Sequence, residues 1–264
     1  MLDLLDGCWA KIQRANEIVE QFEFESNAFV TDPGTYTVLR HFKNDGLTYA
    51  FVVKGTGTVP VRFSVLAGEA VNLLRSSLDW LVCALVAKNG GAPSRNHTFP
   101  LCTTVQKFNE AANRGNIAGI SASAEGLIRA QQPYVNVAPD DTVFFVMSEF
   151  NRQDKHRIPL AVTATATIDK TIHVGSSNGD PGNPPVIEWI SPPQEPARIT
   201  DEGVEVFWFR LAKPNPAFEA NATIIAQITL DQFGSKSLFP ASFALRCMSS
   251  ATAEAIQTFV GEFS

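Results

Sequence analysis

This 264-residue sequence is poor in the residues that build metal sites and covalent cross-links. Its four cysteines, Cys8, Cys83, Cys102 and Cys247, form no C-x-x-C pair and no close group with histidine. Neither a zinc site nor a disulfide framework is indicated. The sequence also lacks a G-x-S-x-G elbow, a Walker A loop, a G-x-G-x-x-G after a strand and an H-E-x-x-H helix, which removes the commonest hydrolase, nucleotide-binding and metalloprotease readings. Long apolar runs are missing too. The most apolar segment, residues 78–87, is broken at its start and upstream by Asp79, Arg75 and Asn72, and it is short for a bilayer. The opening "MLDLLDGCWAKIQ" carries acidic residues where a secretory leader needs basic ones. These absences predict a soluble, cytoplasmic chain with no cofactor, no metal and no membrane partner.

What is present describes a folded protein with a sizeable core. Hydrophobic residues make up 45 % and charged residues 18 %, ordinary values for a globular chain. The formal charge of -6 argues against a surface that binds nucleic acid throughout, while a local basic pocket stays compatible with it. The nineteen phenylalanines are not interleaved with basic residues, so they read as core and not as a platform for stacking bases.

The chain order suggests an α+β protein. Residues 3–28 predict a first long helix, with Trp9, Ile12, Val19 and Phe22 at helical spacing. Strands at 35–42 and 47–55 flank "KNDG", whose Asp45-Gly46 pair is a hairpin signal. "VPVRFSV" at 59–65 suggests a third strand, and a second long helix runs over about 66–88 to the stop at Asn89-Gly90-Gly91. Short helices at 104–112 and 123–131 and a longer one at 140–155, capped by Asp140 or Asp141, follow. Strands then dominate, at 158–168, 171–175, 186–190, 203–211 and 221–230, before a closing helix over about 243–262. The Gly/Pro/Asn-rich stretch at 175–185 reads as a loop tip. Helices and strands segregate, which favours α+β over a doubly wound sheet. We expect one domain, with a helical core and hairpin over about 1–157 and a β-rich part with the closing helix over about 158–264.

Two stretches carry candidate chemistry. On the second long helix, Glu69, Asn72, Arg75, Ser76 and Asp79 fall within an arc of about 120° on the helical wheel. They can be the solvent face of an amphipathic helix. They can also form a hydrogen-bonded network, and two features favour this: residues 80–87 are apolar all round and call for enclosure, and Asn and Ser are poor choices for an exposed helix face. The second stretch, "NRQDKHR", places Arg152, Asp154, Lys155, His156 and Arg157 where a helix gives way to a strand. Cations there can simply stabilise the helix end. His156 is the one histidine packed among charged residues, which makes it the best acid–base candidate, whereas His41, His97 and His173 stand isolated.

In order along the chain, "LAGEAVNLLRSSLDWLVCALV", "FPL" at 99–101, "IAGIS" at 117–121, "QQPY" at 131–134 and "NRQDKHR" at 151–157 resemble the spaced motifs of a widespread family of uncharacterised bacterial proteins. The resemblance covers roughly residues 3–160. Members of that family show a helix of the form G-D-x-x-H-N-L-R-S-A-L-D-H-L followed by F-P, G-L, Q-P-Y and D-K-H-R. No established activity comes with the resemblance. The R-S-A-L-D-H segment also resembles the R-x4-6-H pattern of HEPN-type helical ribonucleases. Arg75 takes the arginine position, but Trp80 stands where histidine belongs, and Leu81 and Val82 exclude the longer spacings.

The leading expectation is therefore a polar pocket that accepts an anionic or nucleotide-like ligand, RNA among the candidates. Its ligand-binding residues would be Asn72, Arg75, Asp79, Asp154, Lys155 and Arg157, with His156 as the catalytic candidate if there is catalysis. The alternatives are a HEPN-like metal-independent ribonuclease or an inactive relative of one, and a structural or partner-binding protein without a ligand site. Homo-oligomer formation is left open.

Overall fold

The second long helix starts earlier than its sequence pattern suggests. In the computed structural model it runs from Val61 to Lys88 (α2), so "VPVRFSV" is not a strand. Its valines gave the stretch strand character, but Phe63, Leu66, Ala67, Ala70 and Val71 are buried on one helical face, and Phe63 meets Phe22 edge-on at 5.8 Å. Packing overrides local β propensity here. The structure describes residues 4–55, 58–155, 162–176, 187–190, 197–215, 218–231 and 238–263. Most of the expected tip at 175–185 and the start of the strand expected at 158–168 lie outside the described residues.

The helices are α1 (Asp6–Thr31), α2, α3 (Val105–Asn113), α4 (Ala122–Ala130), α5 (Val143–Lys155) and α6 (Ala241–Gln257). The strands are β1 (Tyr36–Phe42), β2 (Thr48–Gly55), β3 (Val162–Ser176), β4 (Ile187–Ile190), β5 (Ala197–Arg198), β6 (Val204–Leu211), β7 (Phe218–Asp231) and β8 (Leu238–Pro240). The protein is α+β, with antiparallel pairing in both sheets. Two expected strands, 158–168 and 171–175, are one strand, β3, whose pairing with β7 shifts register between Ile168 and Ile172. Helix α5 is capped by Thr142, whose hydroxyl accepts the Phe145 N–H at 3.3 Å. Asp140 and Asp141, the expected caps, belong to a short 3-10 turn ahead of it.

The chain divides into two compact units, residues 1–23, 61–160 and 241–264 in one and residues 24–60 and 161–240 in the other. This spatial grouping does not follow the expected division near residue 157. The early hairpin belongs with the late strands because the edge of β2 pairs with β6. The closing helix belongs with the early helices because α6 packs on α2 and α5.

In the helical unit, Cys8, Ile12, Ala15, Val19 and Phe22 of α1 are buried, a spacing of three and four that makes one continuous stripe. Helix α2 supplies the other side with Leu74, Leu78, Leu81, Val82 and Leu85. The Ser77 hydroxyl donates to the Cys8 carbonyl at 3.1 Å and ties the two helices together. In the β-rich unit the sheets have strand orders β1-β2-β6-β4 and β5-β3-β7-β8. Phe207, Phe209 and Leu211 alternate inward along β6. Phe218 of the other sheet stands 5.0 Å from Phe209 and 5.2 Å from Tyr49, ring centre to ring centre, so aromatic edges join the two sheets.

Candidate functional site

The stripe on α2 divides into two parts with different surroundings. Glu69 and Asn72 are exposed, and no hydrogen bond joins Asn72 to Arg75 or Asp79 among the described residues. Ser76 is half-buried. Arg75 and Asp79, one helical turn apart, face inward, with side chains 13 % and 26 % exposed. There they hold a loop. The Arg75 Nη2 donates to the Phe99 carbonyl at 2.6 Å, and the Phe99 N–H donates to Asp79 Oδ1 at 2.9 Å. Arg75 Nη1 closes the ring with a charge contact to the same Oδ1 at 2.9 Å, off the alignment of a hydrogen bond. One charged pair thus satisfies both backbone groups of a buried residue that has no strand or helix partner. Burial lowers the Arg75 pKa, and the Asp79 carboxylate works against that shift.

A second clamp lies three residues further along the loop. Gln132 is fully buried. Its Nε2 donates to the carbonyls of Pro100 at 2.7 Å and Ile128 at 3.0 Å, and its Oε1 accepts the Cys102 N–H at 3.0 Å. The Thr98 N–H donates to the Asn116 carbonyl at 3.0 Å, and Asn89 Nδ2 donates to the Gly119 carbonyl at 3.0 Å. Three of the spaced sequence motifs, on α2, at 99–101 and at 131–134, therefore meet at one loop and satisfy its backbone groups at Phe99, Pro100 and Cys102. Gln132 was not among the candidate residues. Its position before Pro133 in "QQPY" was the available signal, but a polar residue at zero exposure cannot be told from a surface glutamine by its neighbours alone.

Trp80, standing where the nuclease pattern has histidine, packs between helices. A Cβ at Gly7 would come within 2.4 Å of its ring, so glycine is what lets the indole lie against α1. The Lys11 ammonium sits 4.3 Å from the ring centre. The enclosure expected for residues 80–87 is incomplete. Trp80 is 50 % exposed, and with Leu4, Cys83, Ala84, Ala87 and Pro93 it lines a shallow apolar groove. By length and composition α2 could cross a membrane, yet 56 % of its most apolar stretch is buried within the protein.

The DKHR cluster is described only in part. Asp154 and Lys155 close α5 by their backbone, but their side chains, and the whole of His156 and Arg157, lie outside the described residues. Earlier on α5, Asn151 and Gln153 are buried, and Arg152 pairs outward with Glu149 at 2.6 Å. His41 is exposed on β1. His97 accepts the Ser94 N–H through Nδ1 at 2.9 Å. Among the described residues no three or more histidine, cysteine or acidic side chains are gathered to hold a metal ion. Burial pushes the Cys8 thiol up to about 12 and raises Cys83 and Cys102 as well, and thiols raised in this way are poor nucleophiles. In the β-rich unit, a cavity of about 310 Å³ opens beside Ala164 and Ala226.

These features define an α+β protein whose most conspicuous charged pair holds the backbone of a loop. Comparison of the chain with protein-family models, curated proteins and solved structures finds no match in any of the three.

Proposed function

We propose that this protein acts by binding and not by cutting RNA, and that the Arg75 stripe is the scaffold of its helical unit. The observation that carries this reading is the closed ring of Arg75, Phe99 and Asp79. An arginine that stabilises a phosphoryl transition state must offer its donors to the substrate. Here Nη2 is used by a backbone carbonyl, and the positive charge is matched by an adjacent carboxylate. The same contacts disfavour an anionic or nucleotide-like ligand at this position, because it would have to displace Phe99 and meet Asp79. On this reading the likeness to the motif-bearing bacterial family, and to HEPN-type helices, is a likeness of scaffold. Trp80 in the histidine position fits an inactive relative, since it supplies packing and no proton transfer.

The test uses the full chain with labelled single-stranded RNA in metal-free buffer, beside Arg75→Lys, Trp80→His and His156→Ala. No cleavage above the blank is expected from any of the four, Trp80→His included. Cleavage by the wild-type chain that is lost in a still-folded Arg75→Lys or His156→Ala variant would overturn the proposal.

A further inference from the structure

The cavity of the β-rich unit is framed by a short crossing segment. Arg198 pairs with Thr165 of β3, the Ile199 N–H donates to the Ala164 carbonyl at 2.9 Å, and the Thr200 carbonyl accepts the Gly55 N–H at 2.8 Å. Residues 197–200 thus run from one sheet to the other and close one end of the gap between them. A glycine at position 55 makes this approach possible, since a Cβ there would lie 3.2 Å from the Ile199 side chain and 3.4 Å from the Thr200 carbonyl oxygen. On the floor, Ala164 and Ala226 stand where bulkier strand residues would fill the space. The last turns of α1 contribute Phe29 and Val30, and the Thr35 hydroxyl, donating to the Phe29 carbonyl at 2.7 Å, pins the exit of that helix.

The volume of about 310 Å³ is at the lower end of the range for small-molecule sites. Its lining is mixed, with the apolar side chains of Phe29, Val30, Val59 and Ile199 beside the hydroxyl-bearing Thr35, Tyr36, Thr58 and Thr200. Asp201 is the single formally charged residue among the described lining residues, and no lysine, arginine or histidine accompanies it. One oxygen of its carboxylate accepts the Glu202 N–H at 3.1 Å. A carboxylate or phosphate entering this space would meet a like charge and, among the described lining residues, no cation, which penalises it twice, by repulsion and by desolvation. An ammonium group would find an opposite charge on Asp201 and the aromatic side chains of Phe29 and Tyr36 among the lining residues.

We infer that this cavity is a binding site for a small organic ammonium ion, an amine carried on an apolar body. The inference rests on the reading of the protein as a binding protein and assigns its ligand class. Isothermal titration of the full chain with three probes of matched shape tests it: tryptamine, the neutral tryptophol and the anionic indole-3-propionate. Tryptamine binds saturably, tryptophol about tenfold more weakly, and indole-3-propionate more weakly still. Asp201→Asn brings tryptamine down to the level of tryptophol. Ala226→Leu, which fills the floor, abolishes tryptamine binding, and Ala164→Val repeats that test with a smaller intrusion if the leucine variant does not fold. Equal binding of all three probes overturns the ammonium assignment while leaving the cavity as a ligand site. No binding by any probe, or tryptamine binding unchanged by the filling substitutions, overturns the site itself. Neither outcome touches the broader reading, which is tested separately by RNA cleavage in the Arg75 and His156 variants.

Discussion

Replacing Arg75 by methionine is the most direct perturbation of the scaffold. Methionine keeps most of the aliphatic stem, so the change isolates the guanidinium. Two consequences follow from the geometry. The Phe99 carbonyl loses its donor at 2.6 Å, a hydrogen bond to a charged group worth about 1.5–3 kcal/mol. Asp79, with its side chain 26 % exposed, loses its counter-charge. Breaking a fully buried ion pair costs about 3–5 kcal/mol, and the partial exposure of Asp79 lowers that figure. The expected loss is about 3 kcal/mol for the helical unit, or roughly 6–12 °C in unfolding temperature for a chain of this size. Urea denaturation followed by tryptophan fluorescence measures it. Asp79→Asn keeps an amide oxygen to accept the Phe99 N–H but strands the guanidinium of Arg75, the more buried partner at 13 % side-chain exposure, and so costs a similar amount, about 2–3 kcal/mol. The double variant loses less than the two single losses together, since no stranded carboxylate remains. An Arg75→Met protein within about 0.5 kcal/mol of wild type would refute the scaffold reading, because the ring would then contribute nothing to folding.

Gln132→Leu leaves the Pro100 carbonyl and the Cys102 N–H unpartnered in a buried site and costs about 3 kcal/mol; hydrogen exchange at the Cys102 amide accelerates with it, and an unchanged rate counts against the second clamp. Gly7→Ala reverses the usual gain of about 1 kcal/mol for alanine in a helix and instead destabilises by about 1–2 kcal/mol, since the new Cβ meets the Trp80 ring at 2.4 Å. Thermal unfolding and a red shift of the Trp80 emission report it, and a stabilised variant sinks the idea. Asp45 is held at about 2, below its ordinary 3.8, first by the Thr48 hydroxyl and then by the backbone N–H groups of Thr48 and Leu47. A depressed carboxylate pKa means stabilisation that is present above 3.8 and lost as the pH falls toward 2. Acid unfolding of Asp45→Asn is therefore shallower across that window, and an identical acid titration rules out the contribution.

Much of the local structure was legible because it is written in short-range chemistry. Thr104 and Ser121 cap α3 and α4 by accepting the N–H groups of Lys107 and Ala124, and those helices start within a residue of expectation. Asp45 closes the first hairpin with its carboxylate on Leu47 and Thr48. Misreadings occurred where a distant partner outweighed local preference. Val61 and Val65 suggested a strand, but Phe22, about 40 positions earlier in the chain, gives Phe63 a helical packing partner. The candidate site was legible to the extent that Arg75 and Asp79 do meet at 2.9 Å. Their purpose was not, because the group that uses them is the backbone of Phe99, and a backbone amide looks the same in every sequence.

The sequence by itself determined the α+β class, most helix and strand positions, and the pairing of Arg75 with Asp79, because helical period, capping chemistry and an i,i+4 charge pair all act over a few residues. Only the tertiary structure decided that the early hairpin joins the late strands, that Arg75 and Gln132 hold one buried loop, and that Trp80 is seated on Gly7. It also opened a cavity beside Asp201 from segments more than a hundred residues apart in the chain. Those facts depend on which surfaces bury one another, and burial is a property of the whole chain that no local pattern encodes.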